Sequence, residues 1–150
     1  MIAASVGYDL VFLAHVLVAL TTVIVFVAMR AGAHAVVAGA DADTQRARFP
    51  RRRNWAARVI HLLPVTGLAM SAMGDSSVSL TRPWIGVGLV CYLAAAGQLE
   101  ARTLPLERVV AEVIGHDGVA PPERGRQLTR SLDTLLAIIA VALVAMVVQF

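Results

Sequence analysis

The chain has 150 residues, of which 58% are hydrophobic and 15% charged, and its formal net charge at pH 7 is +3. Soluble domains carry about a quarter charged residues, and four separate apolar runs of bilayer-spanning length do not fit inside one globule of this size. The composition therefore excludes an ordinary soluble domain and predicts an all-α integral membrane protein.

Four apolar runs succeed one another, and each is long enough to cross a bilayer. The first covers residues 8–29, which at about 1.5 Å per residue spans a hydrocarbon core of about 30 Å. The second covers residues 55–73 and contains Pro64, which predicts a kink that a bundle tolerates. The third covers residues 84–102 and the fourth residues 131–150. The sequence predicts a single domain, a polytopic four-helix bundle, with a re-entrant hairpin of the second and third runs as the alternative.

Arginines are concentrated in the two longer connections between these runs. They are Arg46, Arg48, Arg51, Arg52 and Arg53 in the first connection and Arg108, Arg124 and Arg126 in the second. Because basic residues stay on the cytoplasmic side, we expect both connections inside the cell and both chain ends outside. The same bias accounts for the positive charge without nucleic-acid binding. Arginine without lysine, with abundant alanine and valine, indicates a bacterial chain and hence the bacterial cytoplasmic (inner) membrane.

A short amphipathic helix is predicted within the second arginine-rich connection. Between Pro105 and Ile114, apolar residues recur at positions 106, 109, 110, 113 and 114, which is the spacing of one helix face. Gly115 and Gly118 follow as natural stops. We expect this helix to lie along the inner membrane surface or beneath the bundle.

Ionisable residues lie near the inner ends of three predicted spans. They are Arg58, His61, Glu100 and Asp133, and they could meet in the cytoplasmic leaflet as an ion-pair network. The alternative is that each is an interfacial charge whose side chain reaches water on its own. A proton relay would need polar groups across the midplane, where only a few threonines are present.

Soft metal ligands lie in the outer halves of the predicted spans. They are His15, Met70, Met73, Cys91 and Met146, a set of imidazole, thioether and thiol groups that suits Cu(I). The alternative is ordinary packing, because methionine fills irregular gaps and cysteine acts as a small hydrophobe. His15 and His61 are expected at different depths, which disfavours a haem held between them. The sequence therefore predicts no cofactor and assigns no metal site.

Small residues mark two helix faces that permit close helix approach. Gly67 and Ser71 are four residues apart on the second span, while Ala94, Gly97 and Ala101 form a stripe on the third. Either stripe could serve the bundle itself or a partner protein. The sequence does not separate the two.

No nucleotide-binding, hydrolase or metalloprotease motif occurs in the chain. Three stretches, at residues 8–17, 66–68 and 82–89, carry a resemblance. Through them the chain resembles a widespread family of uncharacterised four-helix bacterial integral membrane proteins, which is distantly similar to the membrane part of the copper-resistance D proteins. The resemblance implies the four-helix membrane fold.

These observations favour a non-catalytic membrane protein that acts as an accessory or structural subunit of a larger membrane complex, such as a respiratory cytochrome oxidase assembly. Its expected partners are the lipid bilayer and other integral membrane subunits, with neither nucleic acid nor a small-molecule substrate. A copper-handling membrane protein that binds Cu(I) is the alternative, and a small oligomeric transporter is the third possibility.

Overall fold

A computed structural model describes residues 2–51, 53–74 and 82–148 of the chain. In these ranges the chain forms six α-helices with a 3-10 helix and a π-helical segment between some of them. The α-helices are α1 (Ile2–Val37), α2 (Ala42–Arg48), α3 (Leu62–Met73), α4 (Pro83–Gln98), α5 (Leu104–Asp117) and α6 (Pro122–Val148). The prediction of an all-α fold is confirmed.

Four of the helical stretches in the described ranges are long and apolar enough to cross a membrane: Val6–Val37, Ala56–Met73, Pro83–Asp117 and Pro122–Val148. Their most apolar windows are only 11% to 22% buried inside the chain. Exposed apolar surface on this scale is unfavourable in water. The fold is therefore that of a multi-pass membrane protein whose spans are covered mainly by lipid or by other membrane proteins.

The helices extend beyond the predicted spans at the arginine-rich end of the bundle. Helix α1 continues to Val37, eight residues past the predicted end of the first span, and α6 begins at Pro122, nine residues before the fourth. With α2 and α5 they enclose apolar side chains, among them Val36, Phe49 and Ile114, each at most 4% exposed. Hydrophobic burial therefore builds a small core at this end, while the opposite half of the bundle relies on its surroundings.

The second span changes helix type at its proline. Residues Ala56–His61 form a 3-10 helix, and the α-helix begins at Leu62, two residues before Pro64. Proline has no N–H to donate, and its ring crowds the carbonyl four residues earlier, here that of Ile60. The tighter 3-10 turn avoids an α-helical hydrogen bond that Pro64 could not make. The irregularity expected from this proline is present as a change of helix type.

The third span and the predicted amphipathic helix are joined end to end. The π-helical segment Leu99–Thr103 connects α4 to α5 just before Pro105, whose missing N–H again removes a regular helical bond. Helix α5 ends at Gly118, which has φ 86°, as a glycine stop does. Helix α5 packs against α2 and α6, so it lies beneath the bundle. Gly115 does not stop the helix.

Two polar contacts secure the short helix α2 below the bundle. Asp41 caps its first turn, since its carboxylate accepts from the Thr44 N–H at 2.9 Å, and this hydrogen bond lowers the pKa of Asp41. Gln45 is buried and accepts from the Ala120 N–H at 2.9 Å, which joins α2 to the turn between α5 and α6. Helix α2 is thereby fixed against α5.

Helices α1 and α6 are the two central helices of the bundle. Helix α1 packs against both α3 and α6, and α6 packs on its other side against α4, whereas α3 and α4 meet much less closely. The closest approach is at Gly125 of α6, where an added Cβ would lie 2.9 Å from the Ala33 carbonyl oxygen of α1. The backbones of α1 and α6 touch there because Gly125 has no side chain.

Candidate functional site

Three of the four predicted network residues meet at the start of the second span, at the arginine-rich end of the bundle. The Arg58 guanidinium donates to Glu100 at 2.9 Å, and His61 Nε2 lies 3.3 Å from the other oxygen of the same carboxylate. The Tyr92 hydroxyl lies 3.1 Å from His61 Nδ1. Because an ionised carboxylate only accepts, His61 donates through Nε2 and its Nδ1 is free to accept from Tyr92. The cluster joins the start of the second span to α4.

Asp133 does not join this cluster, contrary to the prediction that it would lie near Arg58 or His61. Its carboxylate pairs with Arg30 of α1. The reason is the packing order: α6 lies against α1 along its length, so the acid on α6 faces the end of the first span. The side chains of Arg30 and Asp133 are 40% and 48% exposed, which makes this a half-exposed ion pair.

A second polar cluster, between α4, the π segment and α6, was not anticipated from the sequence. The Thr103 and Ser131 hydroxyls lie 2.9 Å apart in a buried contact, and the Gln98 amide donates to the Ser131 hydroxyl at 3.1 Å. Thr103 also lies 3.3 Å from the Gln98 carbonyl oxygen, a carbonyl next to the π segment. The sequence signal for this cluster is that Gln98 and Thr103 lie at the end of the third apolar run, just before Pro105, while Ser131 begins the fourth.

The predicted soft ligands, which lie in the halves of the spans away from the arginine-rich end, have separate packing partners. His15 Nδ1 lies 2.7 Å from the Thr66 hydroxyl of α3. The Met73 methyl group fills the space above Gly7 of α1. These contacts place both side chains in the interface between α1 and α3.

Met146 belongs to a different helix interface. Its methyl group lies over Gly88 of α4, 3.2 Å from where a Cβ would be. Met70 and Cys91 are half-buried. Within residues 2–51, 53–74 and 82–148, no group of three or more His, Cys, Asp or Glu side chains could hold a metal ion. The methionine contacts seen here are those of side chains that fill gaps opposite glycine.

The two small-residue stripes differ in their surroundings. Gly67 faces His15, whose Cε1 lies 3.6 Å from where a Cβ would be, and Ser71 is half-buried, so this stripe lies inside the bundle. Ala94 and Gly97 of α4 and Ala101 of the adjoining π segment are all exposed, and a Cβ at Gly97 would meet no atom of the described structure within 4 Å. The bundle uses the first stripe and leaves the second, which we call the α4 stripe, on its surface.

No protein-family model, no curated protein and no solved structure matches this chain. The resemblance to the four-helix membrane family and to the copper-resistance D proteins therefore stays a prediction. Two ion pairs lie at the arginine-rich ends of the spans: Arg58–Glu100, to which His61 is also hydrogen-bonded, and Arg30–Asp133. Both tie neighbouring helices together.

Proposed function

We propose that the chain is a non-catalytic accessory subunit of a larger membrane complex, and that it docks through the α4 stripe. The observation that carries this proposal is the exposure of Ala94, Gly97 and Ala101, three small residues that the bundle leaves uncovered. In a bilayer, apolar surface alone does not bring helices together, because lipid tails are as apolar as the side chains. Small residues permit close backbone approach and van der Waals contact, so a partner helix packs on this stripe more favourably than lipid does.

The paired charges also support a structural role. Glu100 accepts from Arg58 and His61, and Asp133 is held by Arg30. Carboxylates held in this way stabilise helix contacts near the membrane edge. A respiratory oxidase assembly is a concrete example of a complex that such a subunit would join.

The experiment is native-gel analysis of membranes solubilised in mild detergent, followed by mass spectrometry of the proteins that migrate with the tagged chain. We expect wild type in a heavier band with defined membrane partners. Gly97→Leu should release the chain because leucine fills the space a partner helix would occupy. The control is Ala140→Leu, an exposed alanine of α6 outside the stripe, which should leave the band unchanged.

Two outcomes would contradict the accessory-subunit proposal. Wild type that migrates alone from native membranes would remove its basis. Stoichiometric Cu(I) binding by the purified protein, lost in the combined Met70→Leu, Met73→Leu and His15→Gln variant, would favour the copper-handling alternative instead. Because leucine for methionine usually costs under about 1.5 kcal/mol, that variant should still fold.

We also propose that the chain resides in the bacterial cytoplasmic membrane with both ends outside. The support is the clustering of arginine at one end of the bundle, where α1, α2, α5 and the start of α6 project beyond the predicted spans. A reporter enzyme that works only outside the cytoplasm, fused after Phe150, should be active. A cytoplasm-specific reporter that is active at this position would reverse the orientation.

A further inference from the structure

An arginine-lined cavity lies at the arginine-rich end, between α5 and the segment that leads from α2 to the 3-10 helix. Its volume is about 520 Å³, within the range of small-molecule sites. Its charged lining consists of Arg51, Arg53, Arg58, Arg108, Glu107 and Glu112. Four guanidinium groups against two carboxylates give the cavity wall a net positive charge, which favours an anion.

The walls of the cavity are held in place by contacts that its lining residues make with one another and with neighbouring helices. Phe49 is buried, with its ring packed over Gly32 of α1. Asn54 accepts from the Ala57 N–H at 3.1 Å and donates to the Glu107 carboxylate at 2.7 Å. Its side chain thus links the start of the 3-10 helix to α5. The cavity is therefore formed before any ligand arrives, which lowers the entropic cost of binding.

Arg51 reaches the cavity by crossing the backbone of α5 at Gly115. A Cβ at Gly115 would overlap the Arg51 guanidinium, so any larger residue there requires the end of the Arg51 side chain to move. Gly115 is exposed and lies inside α5, where glycine is otherwise unfavourable. The absence of a side chain at Gly115 leaves room for the Arg51 guanidinium in the position it takes here.

Three of the four arginines keep their charge unpaired. Arg58 donates to Glu100, whereas Arg51, Arg53 and Arg108 form no ion pair with a carboxylate among residues 2–51, 53–74 and 82–148. Guanidinium groups present a planar fork of donors that matches phosphate oxygens. Several unpaired guanidinium groups around one preformed cavity supply the hydrogen-bond donors and the positive charge that a phosphate group requires.

The neighbouring tryptophan points to a lipid as the source of that phosphate. Trp55 is 65% exposed, and the guanidinium groups of Arg53 and Arg58 lie 4.6 Å and 5.8 Å from its ring centre. Tryptophan at the end of a span lies at the level of the lipid headgroups, and basic pockets between membrane helices bind anionic headgroups. We infer that the cavity binds the phosphate group of an anionic phospholipid.

The test measures binding to the purified full chain in neutral detergent with three probes. These are short-chain phosphatidylglycerol, glycerol 3-phosphate and inorganic phosphate. Short-chain phosphatidylcholine, whose phosphate is balanced by a choline cation so that the lipid has no net charge, is the zwitterionic comparison. We expect phosphatidylglycerol to bind most tightly. The combined Arg51→Gln and Arg108→Gln variant should weaken its binding by about tenfold or more, equivalent to the loss of one charge-assisted hydrogen bond.

Matched variants separate the site from general charge effects. Arg124→Gln removes an exposed arginine outside the cavity and should leave the affinity unchanged. Gly115→Ala removes no charge and only shifts the flexible end of Arg51, so it should weaken binding less than Arg51→Gln does. Gly86→Ala, also within a helix but in open space, should not weaken binding.

The outcomes are distinct. The proposed site would be wrong if Arg124→Gln weakened phosphatidylglycerol binding as much as the combined Arg51→Gln and Arg108→Gln variant does. Equal affinity for phosphatidylglycerol and phosphatidylcholine would also contradict it. Inorganic phosphate or glycerol 3-phosphate that binds as tightly as the lipid would overturn the lipid as its source and leave a site for a free phosphate compound. None of these measurements depends on a partner protein, so this inference and the accessory-subunit proposal fail independently.

Discussion

Replacing Gly125 by alanine is expected to separate the two most extensively packed helices of the bundle. An alanine Cβ at this position would lie 2.9 Å from the Ala33 carbonyl oxygen, 2.9 Å from the Val37 Cγ2 atom and 3.0 Å from the Val37 nitrogen. Two of these three atoms belong to the backbone of α1, which cannot rotate away as a side chain can. Relief therefore requires α1 and α6 to move apart, which loosens the contacts on both sides of the crossing.

The magnitude follows from two opposing effects. Over-packing of a close contact costs about 1–3 kcal/mol, while alanine in place of a helical glycine returns up to about 1 kcal/mol. We expect a net loss of about 1–2 kcal/mol in the free energy of unfolding. For a chain of this length that corresponds to a fall of roughly 2–8 °C in Tm.

The assay is thermal unfolding of purified protein in detergent, followed by tryptophan fluorescence. Gly86→Ala is the matched control, because a Cβ there meets nothing within 4 Å and alanine should stabilise the helix slightly. A Gly125→Ala protein as stable as Gly86→Ala would refute the close α1–α6 crossing.

Three further changes test other contacts. Ser131→Ala should cost about 1–3 kcal/mol in the same unfolding assay because Thr103 loses a buried hydrogen-bond partner. The double variant that adds Thr103→Val should lose less stability than the sum of the losses of the two single variants. Strict additivity of the two losses would contradict the contact between these residues. Asp133→Asn should cost under about 1 kcal/mol, since its ion pair is half-exposed, and a loss of several kcal/mol would show that the pair is shielded from water. The pKa of Asp41 is lowered, so its ionised carboxylate caps and stabilises α2 at neutral pH, and this stabilisation is lost as pH falls through the lowered pKa. An NMR titration of Asp41 with a midpoint at or above the ordinary aspartate pKa would contradict this.

The number and order of spans could be predicted from the sequence, but the lengths of the helices could not. Hydropathy detects where the chain is apolar enough for lipid, and the run that ends at Met29 becomes polar at Arg30. The helix nevertheless continues to Val37, because arginine, alanine and histidine are compatible with a helix in water. The core at the arginine-rich end combines residues far apart in sequence, so no local pattern shows it.

The cluster of Arg58, His61 and Glu100 was predictable to the extent that depth in the membrane determines it. Arg58, His61 and Glu100 were expected at the same level, and they are in contact. Asp133 was expected at that level too. Its partner, however, depends on which helices are neighbours in the bundle, and no local sequence pattern predicts that packing order. Gly125, between two arginines, gave no sign of a close helix crossing.

The most direct test of the accessory-subunit proposal is photo-crosslinking in native membranes from a photoreactive amino acid placed at Ala94. The matched position is Val147, which is 84% exposed near the end of α6 and lies outside the α4 stripe. We predict one discrete crosslinked protein from position 94 and only lipid adducts from position 147. Lipid adducts alone from position 94, in membranes that contain the normal complement of proteins, would contradict the proposal that a partner helix covers this stripe.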